Sequence, residues 1–280
     1  MVASPHSRRR FWAILLFLSV SVRVAVALYY GNWVPAEQDD HSYSQLAWRL
    51  ATGHGYSFER PWYPFTPANT PTAHWSFLYT ALVAGIYRIA GYHPVAVRLA
   101  SAVITGVLLP LVVYRLTQRT SPEPQEVALV AAVCAAGYAY FVLFAARIMT
   151  EGLYMIALLW SLDGALAVAN HLRRRSAVPL WHSLQLGLGL GVATLLRQAI
   201  LPWVPVLFVW LLLNIGIPRF AQGKLLKGVN PPPSSGRVVR TLQPLLVAGC
   251  VLLASVLPWT MRNYRVYDSF LLLNSHTGYA

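Results

Sequence analysis

The amino-acid sequence predicts an all-α protein that crosses a membrane several times. Of its 280 residues, 56% are hydrophobic and 11% are charged, whereas charged residues make up about a quarter of an ordinary soluble domain. Its ten Trp and fifteen Tyr residues suit a bilayer, because their rings favour the level of the lipid headgroups. The net charge of +13 comes from basic clusters between apolar segments, which is typical of topology signals and does not indicate nucleic-acid binding.

Seven apolar segments approach the length of about 20 residues that a spanning helix needs. They cover roughly residues 11–30, 95–114, 127–146, 152–170, 181–196, 200–216 and 241–258. The first contains an Ala-Val-Ala that resembles a signal-peptidase site, so a cleaved signal peptide is the alternative there. We favour a span, because the apolar run continues to Tyr30. Residues 1–280 are treated as a single transmembrane domain.

The apolar segment 75–91 is ambiguous, since it could cross the membrane or lie along its surface. If it lies on the outer surface, the basic clusters around residues 115–119, 173–175 and 217–240 share the cytoplasmic side with the arginines at 8–10. If it crosses, all three move outside, against the positive-inside rule. We therefore predict a cytoplasmic N-terminus, an extracytoplasmic loop at 31–91 with interfacial helices, and a basic cytoplasmic loop at 217–240.

This topology places most of the scarce carboxylates at or near the outer face, namely Glu37, Asp39, Asp40, Glu59, Glu151 and Asp268. Within the outer loop, Ser42 and Gln45 match a helix-capping box, and Gly53 is a helix-stop signal. One helical face carries Tyr43, Leu46, Ala47 and Leu50. The pattern predicts a short amphipathic helix on the bilayer surface that presents the two aspartates at its N-terminus.

The two aspartates are candidates for a general base that takes a proton from an acceptor hydroxyl or amine. The alternative is that both are solvated acids favoured at a helix N-terminus. Glu151, at the end of a predicted span, is a further site candidate, and its alternative role is an ion pair with Arg147 four residues earlier.

Arginines end two later spans, at Arg197 and Arg262. A guanidinium fork there suits a phosphate group, and the alternative is snorkelling to anionic headgroups. Arg23 and Asp163 are charged residues inside spans and need partners, which are either each other or other groups. The outer-loop histidines His41, His54 and His74 lack metal-ligand spacing.

Six stretches in order give the chain a resemblance to type C glycosyltransferases, in particular bacterial relatives of protein O-mannosyltransferase and lipid A aminoarabinose transferase. These stretches are "QDDHSYSQLAWRLATGHGYSF", "TPANTPTAHWSFLYTALVAGIYRIAG", "HPVAVRLASAVITGVLLPLVVYRL", "RIMTEGLYMIALL", "GLGLGVATLLRQAILPW" and "LPWTMRNYRVYDSFLLLNSHTG". The resemblance implies a polyprenyl-phosphate-linked sugar as donor and the plasma (inner) membrane as location.

The resemblance also implies roles for individual residues. Asp39, Asp40 and Tyr43 match an acidic pair followed by a tyrosine, in which the first acid is the base, so Asp39 is preferred over Asp40. Glu151 matches a second acidic site residue, and Arg197 and Arg262 (followed by Asn263) match basic positions of the family. The predicted phosphate- or donor-binding residues are Arg197, Arg262, Tyr43 and His74. Some family members bind a divalent metal at the acidic pair, so a metal at Asp39 and Asp40 is an open alternative.

The resulting expectation is an inverting transfer of sugar to an unidentified acceptor, a lipid, protein or envelope glycan, at the extracytoplasmic face. A transporter or lipid flippase without chemistry is the alternative, and it would show broken helices with charges near the midplane. Relatives of this kind usually continue well beyond residue 280, so an inactive truncated scaffold is a third reading.

Overall fold

The computed structural model describes residues 5–36, 38–62, 66–121, 123–174, 176–216 and 235–275. Within these ranges the chain forms ten α-helices, one 3₁₀ turn and no β-strand, which confirms the predicted all-α class. The helices are α1 (Pro5–Tyr30), α2 (Asp39–Ala51), α3 (Phe77–Ala90), α4 (Pro94–Thr120), α5 (Pro124–Gly137), α6 (Ala139–Ala145), α7 (Glu151–Arg173), α8 (Leu180–Leu196), α9 (Trp203–Gly216) and α10 (Ser235–Tyr267), with the 3₁₀ turn at Gln198–Ile200.

Four helices are long and apolar enough to cross a membrane: α1, α4, α7 and the Leu242–Tyr267 part of α10. The pair α5 and α6 makes a fifth if the two helices form one span bent by 50°. The 17 residues of α8 extend about 26 Å at about 1.5 Å per residue, slightly less than a hydrocarbon core of about 30 Å. The described residues thus contain four or five long apolar helices that could cross a membrane, as in a multi-pass membrane protein, and the larger number of seven spans stays a prediction.

Large apolar side chains on the outside of the helix bundle agree with this conclusion. Phe17 on α1, Val130 on α5 and Leu246 on α10 are 71%, 63% and 66% exposed. A soluble monomer rarely shows extensive apolar surface, whereas lipid tails cover such side chains without cost.

Helix α8 is packed closely between α7 and α10 because three glycines remove the side chains at the contacts. A Cβ atom at Gly187 would lie 2.6 Å from the carbonyl oxygen of Ala248 on α10. A Cβ atom at Gly189 would lie 3.0 Å from the backbone of Ser161 on α7, and Gly191 again faces α10. Small residues let helices approach closely in lipid, and the three glycines of α8 have this effect on its contacts with α7 and α10.

The buried Arg23 of α1 binds the C-terminal end of α5. Its guanidinium donates hydrogen bonds to the carbonyl oxygens of Ala136 at 2.7 Å and Ala135 at 3.1 Å, and to the Ser19 hydroxyl at 2.7 Å. The break between α5 and α6 leaves these carbonyls without helical donors, and a cation at a helix C-terminus also complements the helix dipole. The charge inside the span is thereby compensated by backbone oxygens.

Asp163 has different partners at the other end of the bundle. Its carboxylate, 1% exposed, pairs with Arg119 and lies 3.7 Å from Arg115, both on α4. The side-chain amide of Gln185 on α8 donates to the same carboxylate at 2.8 Å. The alternative in which Asp163 and Arg23 pair with each other is therefore wrong, and each charge is compensated within its own network.

Helix α2 packs on α3 and confirms a helix with one buried face after the acidic pair, whereas its predicted position on the bilayer surface stays a prediction. Tyr43, Leu46 and Ala47 are buried, and Gly53 follows the helix with a positive φ of 84°. The predicted capping box is wrong, because α2 begins at Asp39 and the Ser42 hydroxyl donates to the Asp39 carbonyl oxygen inside the first turn. The two aspartates are nevertheless in the first turn, as predicted.

Two predicted loops have different boundaries in the structure. Helix α10 begins at Ser235, inside the predicted basic loop 217–240, and continues to Tyr267, beyond the predicted end of its span at 258. Residues 217–234 of that loop lie outside the described residues. The segment 75–91 forms α3, whose 14 residues extend about 21 Å. That length is short for a span, so the interfacial position of α3 stays a prediction.

Replacing Gly187 with Ala is expected to lower the free energy of unfolding by about 1–3 kcal/mol, because the added methyl group overpacks the α8–α10 contact. The matched control is Gly85→Ala on α3, where no atom lies within 4 Å of the added Cβ and a gain of about 0.5–1 kcal/mol is expected. Denaturant titration in detergent micelles measures both changes. Equal stability of the two variants would contradict the close α8–α10 contact.

Candidate functional site

The two aspartates at the start of α2 are neighbours in sequence but lie in opposite environments. Asp39 is exposed, whereas Asp40 is 0% exposed. The Asp40 carboxylate accepts hydrogen bonds from Nε of Arg147 at 2.6 and 2.9 Å and from the backbone amide of Ile148 at 3.1 Å. The acidic pair is therefore divided into one compensated, buried carboxylate and one that faces outward.

Arg147 lies in the segment between α6 and α7 and binds the acidic loop 107 residues away. Besides Asp40, its Nη2 donates to Oε1 of Gln38 at 2.8 Å. The hydrogen bond to Asp40 raises the pKa of Arg147, so the guanidinium stays charged. The alternative reading, an ion pair between Arg147 and Glu151, is wrong.

Glu151 begins α7 and instead pairs with Arg197 at the end of α8. Nη1 of Arg197 donates to Oε1 of Glu151 at 2.8 Å. The second oxygen, Oε2, is buried and accepts no hydrogen bond from the part of the chain that the structure describes. Arg197 remains accessible, with 43% of its side chain exposed. An anion that approaches this pair would meet a guanidinium that already has one carboxylate partner.

Tyr43 is buried on α2, three residues after Asp40, and the charges of Asp39, Glu151 and Arg197 act on its hydroxyl. Its ring stacks on Trp75, with 4.8 Å between centroids, and meets Tyr79 edge-on at 5.1 Å. Burial raises the pKa of the Tyr43 hydroxyl well above its usual value, and the charges of Asp39 and Glu151 raise it further, while Arg197 opposes them. The structure thus brings together the acidic cluster, defined here as Asp39, Asp40, Tyr43, Glu151 and Arg197.

Arg262, near the end of α10, lies on an aromatic wall. Its guanidinium carbon is 4.7 Å from the Trp259 ring centroid and 5.8 Å from that of Tyr56. Nη1 donates to the carbonyl oxygen of Thr72 at 2.9 Å and to Oδ1 of Asn263 at 3.0 Å. Asn263 is itself buried and donates to the carbonyl oxygen of Leu273 at 2.9 Å, so the arginine is oriented from two sides.

A mostly apolar groove of about 450 Å³ has Arg262 as the one charged residue among the described residues that line it. The rest of the lining comes from four helices and the outer loop, namely Leu50, Tyr56, Phe77, Leu78, Leu195, Ser255, Pro258 and Trp259. A mostly apolar groove that contains a guanidinium fits an amphiphile with an acyl or prenyl tail and an anionic head. We call it the arginine groove.

Aromatic side chains connect the arginine groove to the acidic cluster. The Tyr56 hydroxyl donates to the carbonyl oxygen of Trp75 at 2.9 Å, and the Trp75 ring stacks on Tyr43. Tyr56 also contributes to the raised pKa of Tyr43, after burial. The two predicted phosphate-binding arginines are therefore placed in two parts of one site, Arg262 at the groove and Arg197 at the acidic cluster.

His74 packs against Trp75, one of the aromatic residues between the groove and the acidic cluster, and is 3% exposed. Its ring meets Trp75 edge-on at 4.8 Å and Phe58 at 5.6 Å. The surroundings are those of a packed aromatic residue, and its predicted role in donor binding stays a prediction.

The predicted alternative of a metal at Asp39 and Asp40 gains no support from the described residues. Among these, no group of three or more His, Cys, Asp or Glu side chains is arranged to bind a metal ion. Both Asp40 oxygens are already engaged by Arg147 and Ile148. Glu37, which lies two residues before Asp39 in the sequence, is outside the described residues.

Arg98 is a site-supporting residue that the sequence analysis did not single out. It is fully buried at the start of α4 and donates to the carbonyl oxygens of Gly31 at 2.6 Å, Trp33 at 2.7 Å and Ala146 at 2.9 Å. It joins the end of α1 to the residue that precedes Arg147. The available signal was an arginine inside a predicted span, which needs compensation.

No protein-family model, curated protein or solved structure matches the chain. The resemblance to type C glycosyltransferases is therefore carried by the six sequence stretches alone.

Replacing Arg147 with Ala is expected to lower the free energy of unfolding by about 3–5 kcal/mol, because the buried Asp40 charge loses its partner. Arg197→Ala removes a much more exposed pair and should cost about 1 kcal/mol or less. Denaturant titration of both purified variants in detergent measures the difference. A loss for Arg147→Ala no larger than that for Arg197→Ala would contradict the assigned burial of Asp40.

Proposed function

We propose that the chain is a membrane glycosyltransferase that moves a sugar from a polyprenyl-phosphate donor to an acceptor at the extracytoplasmic face. The observation that carries this proposal is the arginine groove, because its apolar walls and its guanidinium fit a lipid phosphate. Tyr56 and Trp75 connect the groove to Tyr43, and the same helix carries the exposed Asp39 as a base for the acceptor.

Asp39 is the base in this proposal. It is exposed in the first turn of α2, where an approaching acceptor meets it, whereas both oxygens of Asp40 are already engaged. A positioned carboxylate accelerates attack by taking the acceptor proton as the new bond forms. Asp40, the second candidate of the acidic pair, is assigned a supporting role.

Arg262 binds the phosphate, and the groove binds the prenyl chain. The acceptor oxygen or nitrogen attacks the anomeric carbon and gives its proton to Asp39. The bond between the anomeric carbon and the phosphate oxygen breaks, and polyprenyl phosphate leaves with the electron pair. A guanidinium stabilises the negative charge that develops on this leaving group, and more strongly where water is scarce. Attack opposite the leaving group inverts the configuration of the sugar.

The charge distribution of the sequence supports the proposed extracytoplasmic position of the site. The basic clusters at residues 8–10, 115–119 and 173–175 take the cytoplasmic side under the positive-inside rule. Asp163, which pairs with arginines of α4, lies 12 residues along α7 from Glu151, which is about 18 Å of helix. We therefore propose that the acidic cluster lies near the opposite surface, with the first outer loop.

One observation favours the alternative of a transporter. The bend of 50° between α5 and α6, with the Arg23 charge at the break, is the kind of broken helix that transporters use near a binding site. Both carbonyls at this break are occupied by Arg23, whereas the groove and the exposed carboxylate lie elsewhere. We therefore rank transport second.

Asp39→Asn is expected to reduce sugar transfer at least about 100-fold, because the amide cannot take the acceptor proton. Membranes that contain each variant are supplied with radiolabelled polyprenyl-phosphate hexose, and the label that leaves the lipid is measured. The matched control is Glu59→Gln, an exposed acid of the same outer loop, which should keep the wild-type rate. Wild-type transfer by Asp39→Asn would remove Asp39 from the mechanism.

Membrane insertion of these variants is checked at an exposed outer-loop position, with Arg60→Cys in a background where Cys134 and Cys250 are Ala. An impermeant maleimide should label this thiol in intact cells. Labelling that requires cell lysis would place the loop in the cytoplasm and contradict the proposed orientation.

Arg262→Gln is expected to raise the KM for the lipid donor about 10- to 100-fold, as loss of a charged hydrogen bond to phosphate would. Arg265→Gln, three residues later on the same helix and exposed, is the control and should leave KM unchanged. Steady-state kinetics in detergent with polyprenyl-phosphate hexose measures both. An unchanged KM in Arg262→Gln would show that the groove does not bind the donor phosphate.

A further inference from the structure

A single guanidinium binds the residues on both sides of Asp39. Arg147 Nη2 donates to the Gln38 side chain at 2.8 Å, and Nε donates to Asp40 at 2.6 Å. Gln38 precedes α2 with extended backbone angles, φ −114° and ψ 168°, and Asp40 is the second residue of the helix. The two contacts therefore bracket the backbone of Asp39 at the point where it changes from extended to helical.

The segment that carries Arg147 also carries the other carboxylate of the acidic cluster. The amide of Ile148 donates to Asp40 at 3.1 Å, and three residues later Glu151 begins α7 and binds Arg197. The five consecutive residues 147–151 thus contact the start of α2 at one end, and Arg197, which follows α8, at the other. Arg98 fixes the residue before this segment through the Ala146 carbonyl oxygen.

We propose that Arg147 is a positioning residue that sets the place of the Asp39 carboxylate relative to Glu151 and the bound sugar, an inference that rests on the proposed glycosyl transfer. Arg147 acts through Gln38 and Asp40 and touches neither the donor nor the acceptor. A planar guanidinium can bind two partners in fixed directions, whereas a lysine ammonium is a point charge on a flexible stem. We call the contacts of Arg147 with Gln38 and Asp40 the clamp. Misplacing a catalytic group by about 1 Å can cost about 100-fold in rate, so loss of the clamp is expected to slow turnover.

The test compares two variants that weaken the clamp while keeping the buried Asp40 charge paired. Arg147→Lys retains the positive charge but not the fork, and Gln38→Ala removes only the exposed contact. Each should lower kcat with polyprenyl-phosphate hexose about tenfold, with the donor KM unchanged because Arg262 is intact. The double variant should lose no more than Arg147→Lys alone, since both changes remove the same contact.

The control is Arg49→Lys. Arg49 lies at the end of α2 and donates to Asn69 at 2.8 Å and to Ser57 at 3.1 Å, so it binds the same outer loop away from Asp39. Its replacement should leave kcat unchanged. If Arg147→Lys and Gln38→Ala keep the wild-type kcat, or if their losses add in the double variant, the proposal is overturned.

A second measurement separates the clamp from the proposed function. Hydrogen exchange at the amides of the first turn of α2 should become at least about fivefold faster in Arg147→Lys and Gln38→Ala but not in Arg49→Lys, because local opening becomes easier. Unchanged exchange overturns the clamp whatever the activity. A different outcome is also distinguishable: exchange is faster in the two variants, but the wild-type protein consumes no polyprenyl-phosphate hexose. That outcome supports the clamp as a structural device and contradicts glycosyl transfer.

Discussion

The compensation of the buried Asp40 charge is the constraint on which the outer end of this protein depends. A carboxylate that is fully removed from solvent needs both a cation and hydrogen-bond donors. Arg147 and the Ile148 amide supply them from a segment more than 100 residues away in the chain. Once that pairing forms, the start of α2 is fixed against the start of α7, and Glu151 is brought to the same end as the exposed Asp39.

The same requirement explains the other charges inside the bundle. Arg23 is compensated by the carbonyls of a broken helix. Arg98 is compensated by two carbonyls just after α1 and by the carbonyl of Ala146 just after α6. Asp163 is compensated by two arginines and an amide. A bilayer supplies no water to a buried charge, so each one determines where two or three helices meet. The irregular features, the bend after α5 and the turn between α1 and α2, lie beside these charges. The positions of the buried charges and the packing of the helices therefore depend on each other in this chain.

Local patterns allowed part of this arrangement to be predicted from sequence. The apolar face of α2 and the Gly-rich contacts of α8 are visible as spacing, since residues three and four apart share a helix face. The pairings of Asp40 with Arg147 and of Glu151 with Arg197 join residues 107 and 46 positions apart, and no spacing encodes them. The local rule even favoured the wrong partner, because Arg147 and Glu151 are four residues apart. Arg98 was missed for the same reason, as its three acceptors are backbone oxygens that carry no sequence signal.

The different environments of Asp39 and Asp40 follow from their positions in the first turn of α2. Two adjacent carboxylates in one helical turn point in directions about 100° apart, so only one of them can face the packed interior. Asp40 takes that direction and is neutralised by Arg147, which leaves the outward direction to Asp39. The contacts of Arg147 with Gln38 and Asp40 hold the backbone on both sides of Asp39. The pairing that buries one aspartate therefore fixes the exposed position of its neighbour, which is the position that the proposed base requires.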